Sequence, residues 1–60
     1  MTDTTIEVQF FDVGTWRTYA RGVPAEPVFV NRTMQECARA FAGRRIRAVD
    51  DSGRVVDIWT

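Results

Sequence analysis

The sequence predicts a small α+β domain of order ββαββ: a mostly antiparallel four-stranded sheet with one helix packed on one face. Three observations carry that expectation. Apolar and polar residues alternate on either side of a turn around Gly14, and again on either side of Asp51-Ser52-Gly53. Between these segments, Met34, Cys37, Ala38 and Phe41 recur at i, i+3, i+4 and i+7, the stripe of an amphipathic helix. The elements fall near 5–12 and 15–22 (strands), 32–42 (helix), and 45–50 and 54–59 (strands). The 60 residues read as one domain, 1–60, with 1–4 a flexible N-terminal tail.

The first strand, Ile-Glu-Val-Gln-Phe-Phe, puts Ile6, Val8 and Phe10 on one face and Glu7, Gln9 and Phe11 on the other. A three-residue turn with Gly14 at positive φ then sets Glu7 across from Arg21, Gln9 from Tyr19 and Phe11 from Arg17, with Trp16, Thr18 and Ala20 facing the core. Gly22 to Pro27 reads as a loop, because two prolines remove amide donors and fix φ. Val28-Phe29-Val30 precedes two competing helix N-caps, Asn31 and Thr33. Thr33-Met-Gln-Glu36 matches a capping box, in which the hydroxyl and the carboxylate each bond a free amide. Gly43 suits a left-handed C-cap, with Arg44 and Arg45 beyond the negative end of the helix dipole.

In the second hairpin a three-residue turn ending at Gly53 pairs Val49 with Val55, Arg47 with Asp57 and Arg45 with Trp59 on the open face. Ala48 with Val56 and Ile46 with Ile58 then face the helix. With one helix covering one face, the other is open. It is expected to gather Phe11, Arg17, Tyr19, Arg21, Arg45, Arg47 and Trp59, the aromatic and arginine side chains enriched in binding hot spots. The competing explanation is that these cross-strand pairs only stabilise a very small sheet.

Composition excludes more chemistry than it suggests. The residues are 45% hydrophobic and 27% charged with zero formal net charge, which is globular and not the low-hydrophobicity, high-charge profile of disorder. There is no histidine and no lysine, and Cys37 is the single cysteine. That removes imidazole bases, Schiff-base and P-loop lysines, Cys/His zinc sites and intramolecular disulfides. Asp50-Asp51-Ser52-Gly53 lacks the spaced ligands of a calcium loop. Cys37 sits on the apolar stripe, where a thiol acts as a small hydrophobe. No enzyme activity, metal or cofactor is expected.

Arg39, Arg44, Arg45 and Arg47 form a basic run, read either as a phosphate or acidic-protein contact or as helix-dipole and cross-strand partners. No apolar segment is long enough for a membrane span or a signal peptide, and the lack of paired cysteines leans towards the cytoplasm. The functional expectation is a non-catalytic protein-binding module, a regulator or inhibitor that occupies a partner's surface, with homodimerisation as an accompaniment. Size and composition resemble those of small inhibitors encoded by bacterial or phage genomes, which is analogy alone. The alternative is single-stranded nucleic-acid binding, with Phe11, Tyr19 and Trp59 stacking bases.

Overall fold

A computed structural model describes residues 4–59; the tail expected at 1–4 lies, except for Thr4, outside them. Four antiparallel strands and one helix follow in the order ββαββ: β1 (Thr5–Asp12), β2 (Thr15–Pro24), α1 (Pro27–Ala40), β3 (Ile46–Val49) and β4 (Val55–Trp59). The sheet runs β2-β1-β3-β4, so the two hairpins meet along β1 and β3, with β2 and β4 at the edges. The helix packs on β1, β2 and β3, seated off-centre. The core between the layers comprises Ile6, Val8 and Phe10 of β1, Val23 of β2, Val30, Met34 and Cys37 of α1, and Ile46 and Ala48 of β3. No helix is long and apolar enough to cross a membrane among the described residues.

The first hairpin differs from the expected register. Asp12 pairs with Thr15, Phe11 with Trp16, Phe10 with Arg17 and Gln9 with Thr18. The turn therefore holds only two residues, Val13 and Gly14, both at positive φ (47° and 80°), the signature of a type I′ hairpin whose twist matches its strands. The shortening by one residue carries Trp16 and Thr18 to the open face and Arg17 to the helix side. A bulge follows: Val8 pairs with Ala20 while Gln9 pairs with Thr18, leaving Tyr19 as the extra residue, with both Tyr19 and Ala20 packed against the core.

A β-branched residue is strained in the left-handed region, and Val13 is 90% exposed, so its side chain returns little packing. Val13→Asn is therefore expected to stabilise the domain by about 1 kcal/mol. Urea unfolding checks this: the midpoint should rise with the slope unchanged. A midpoint at or below the parent's would remove the strain argument.

The helix begins five residues earlier than expected. Pro27 takes the first helical position, where its missing amide is no loss and its φ is already helical, so Val28-Phe29-Val30 is helical, not extended. Glu26 occupies the cap position without a side-chain bond, and the Phe29 and Val30 amides donate to its carbonyl at 3.0 and 3.1 Å. The capping box does not form: Thr33, now mid-helix, donates its hydroxyl to the Phe29 carbonyl one turn back at 2.9 Å. The helix ends at Ala40 rather than 42, with Phe41 as C-cap and its N–H on the Cys37 carbonyl at 2.8 Å. Gly43 does adopt positive φ, in the turn beyond.

The second hairpin keeps the expected pair Val49 with Val55 and the left-handed Gly53. A bulge at Val56 then shifts every later pair by one: Ala48 meets Asp57, Arg47 meets Ile58 and Ile46 meets Trp59. The expected pairs Arg47 with Asp57 and Arg45 with Trp59 do not form, and Ile58 exchanges faces with Asp57 and Trp59.

Candidate functional site: the open sheet face

On the face away from the helix, a connected row of side chains crosses three strands. Phe11 and Trp16, paired beside the first turn, meet edge to face with ring centroids 5.2 Å apart. The Arg47 guanidinium carbon lies 4.1 Å from the Trp16 ring centroid, a cation–π contact, and Arg47 Nε donates to Gln9 Oε1 at 2.7 Å. Gln9 Nε2 donates to the Glu7 carboxylate at 2.8 Å, and the Thr18 hydroxyl donates to the same oxygen. Arg21 stands 3.9 Å from the other oxygen. Each group holds the next, so the planes of Trp16 and Arg47 are fixed relative to the sheet.

The charges on this face are unevenly placed. Donation from Thr18 first, then Gln9, holds the Glu7 carboxyl below its usual range against the opposing effect of burial, with a lesser pull from Arg21 and Arg47. Glu7 is thus ionised near neutral pH and marks one end of the row as negative. At the other end, Trp16, Arg45, Ile46, Arg47, Val55, Ile58 and Trp59 line a depression of about 410 Å³. It is walled mainly by carbon and rimmed by two guanidiniums. Among the described residues, neither Arg45 nor Arg47 forms an ion pair, whereas Arg17, Arg21, Arg44 and Arg54 all do.

Of the seven residues expected on this face, the structure brings together Phe11, Arg45 and Arg47, with Arg21 at the Glu7 end. Arg45 continues the β1–β3 ladder opposite Phe11, whose N–H donates to its carbonyl at 2.8 Å. Arg17 lies on the helix side, 3.2 Å from Asp12, which also accepts from Arg44 at 2.6 Å. Tyr19 and Phe41 meet edge to face on that same side. Trp59 pairs with Ile46 and is 36% exposed, so it stands at the rim of the depression.

Sequence reasoning missed Trp16, Thr18 and Ile58 as members of the face, and left Gln9, which it did place there, out of the site. A signal for the first two was present: read as a two-residue turn, Val13-Gly14 places Phe11 opposite Trp16, a favourable aromatic cross-strand pair, and Thr18 follows on the same face. Ile58 depends on the Val56 bulge, which has no comparable mark in the sequence.

The other candidates resolve as structure. Cys37 is fully buried, and burial raises its thiol pKa, so it is a protonated core side chain. Asp50 accepts from the Ser52 hydroxyl and amide and from the Arg54 amide, at 2.7, 3.0 and 2.9 Å. These bonds, the Ser52 hydroxyl foremost, lower its pKa and close the turn. No group of three or more Cys, Asp or Glu side chains able to hold a metal occurs among the described residues.

Fold and face together define a two-layer α+β domain with one open sheet surface. The chain matches no family model, no curated protein and no solved structure.

Proposed function

We propose that this chain is a non-catalytic protein-binding module that acts as a regulator or inhibitor by occupying a partner's surface through the depression on its open face. One observation carries the reading: an apolar hollow rimmed by Arg45 and Arg47, with Arg47 fixed on Trp16 and neither arginine ion-paired among the described residues. The complementary ligand is a protein segment that inserts an apolar or aromatic side chain and lays a carboxylate over the guanidiniums. Glu7, ionised at the far end of the row, biases such an acidic segment towards the arginines.

Nucleic acid fits this face less well. Phe11 and Trp16 meet edge to face rather than offering parallel stacking platforms, Tyr19 lies on the helix side, and the net charge is zero. A cytoplasmic setting is part of the proposal, supported by the lone buried Cys37 in so small a domain. A bacterial or phage setting rests on size alone.

Replacement of both Trp16 and Arg47 by alanine should leave the circular dichroism spectrum in place and weaken capture of the native partner by at least about 30-fold, as expected for two hot-spot side chains. Unchanged capture by the folded variant would exclude the depression. In parallel, tryptophan fluorescence is followed during titration with a single-stranded oligonucleotide. Strong quenching that collapses between 50 and 200 mM salt, roughly the range over which phosphate contacts weaken most visibly, would replace this reading with nucleic-acid binding.

A further inference from the structure

We infer that β4 is a self-association edge, pairing antiparallel with β4 of a second copy to make one continuous eight-stranded sheet. The two sheet edges are built differently. β2 carries Arg17, Arg21 and Pro24, which blunt an edge against further pairing, whereas each of the two strands has a bulge. β4 carries a single charge, Asp57, among four apolar residues, and all five are exposed. Ile58 is 63% exposed on the open face and Val56 is 49% exposed at the bulge, while α1 is seated over the other three strands. A strand with both faces and its outer edge uncovered has the geometry of β-strand addition.

Charge placement selects a second copy as the strand that is added. The β3–β4 hairpin is acidic by one charge at its turn, where Arg54 pairs with Asp50 and leaves the exposed Asp51 over, and basic at its open end, where Arg45 is exposed. Asp51 forms no ion pair among the described residues, and neither does Arg45. Antiparallel pairing of β4 with itself sets the acidic turn of each copy towards the basic end of the other, twice by symmetry. With zero formal net charge, no long-range repulsion opposes the approach. Asp57, whose carboxylate accepts the Ile58 N–H at 2.8 Å, remains the one charge on the strand, so the pairing register is one that keeps the two Asp57 side chains from standing opposite each other.

Sedimentation velocity on the intact chain over roughly 1 μM to 1 mM should show a reversible monomer–dimer equilibrium. Asp51→Arg should weaken it about tenfold, and adding Arg45→Asp to the same chain should return it to within about twofold of the parent. Val56→Lys, which puts a lysine on the edge itself, should abolish the dimer, with circular dichroism confirming that the variant is folded. A parent that stays monomeric throughout, or a dimer indifferent to both Asp51→Arg and Val56→Lys, overturns the inference. The Trp16 and Arg47 alanine variant keeps the dimer if the inference holds, so loss of partner capture and loss of dimerisation are read separately.

Discussion

Met34→Ala is expected to cost about 2–5 kcal/mol and to lower the thermal midpoint by at least about 10 °C. Met34 is 1% exposed at the centre of the helix stripe, between Val30 and Cys37, and belongs to the same buried cluster as Val8, Ile46 and Ala48 of the sheet. A 60-residue domain has a total stability on the order of 3–9 kcal/mol, so this one truncation removes a large share of it. The size follows from the surroundings: backbone strands lie on one side and the helix itself on the other, and neither can collapse fully into the space left behind. Urea unfolding followed by circular dichroism checks it. A variant melting within about 3 °C of the parent would mean that the helix does not seat its stripe on the sheet.

Phe41→Ala should cost about 3 kcal/mol, the lower end of the range for a core phenylalanine because the ring is only partly buried. The residue lies just past the last helical turn, yet its ring stacks on Phe10 with centroids 3.8 Å apart and planes 11° from parallel, and meets Tyr19 edge to face at 6.1 Å. It thus seals the end of the core where the chain leaves the helix. Removing it uncovers one face of Phe10 and the part of the Tyr19 ring that meets it. Phe41→Leu is the informative companion: it restores most of the apolar area without the ring contacts, so recovery of more than about half of the loss would assign the effect to burial rather than stacking.

Element order was legible from alternation and from the Met34 to Phe41 stripe, because strand and helix periods differ enough to survive in short segments. Register was not, and the reasons are local. Val13 is a poor residue for positive φ, so the sequence favoured a longer turn, yet strand twist and the Phe11–Trp16 pair enforce the tighter one. The bulges at Tyr19 and Val56 each move one side chain out of step, and alternation alone has no term for an inserted residue. At the helix start, a well-formed capping pattern at Thr33 competed with Pro27, and burial of Val30 favours the longer helix. These shifts explain why the open face was foreseen while only part of its membership was. Phe11, Arg45 and Arg47 lie before the slips or outside them, whereas Arg17, Tyr19 and Trp59 follow a turn or bulge that changed their side.

The off-centre seat of α1 makes the molecule unevenly cooperative. β1 and β3 are each flanked by two strands and lie under the helix, while β4 is held chiefly by its ladder to β3. Opening β4 breaks that ladder and exposes little that was not exposed before, so its free energy lies well below that of global unfolding. Any molecule that seizes β4 must raise that local free energy by mass action, in proportion to the logarithm of its concentration over its dissociation constant. The fringe of the sheet would then report its occupant: its amide exchange slows as the occupant's concentration rises, and the amides of β1, which open only with the whole domain, slow by the same increment from a much lower starting rate.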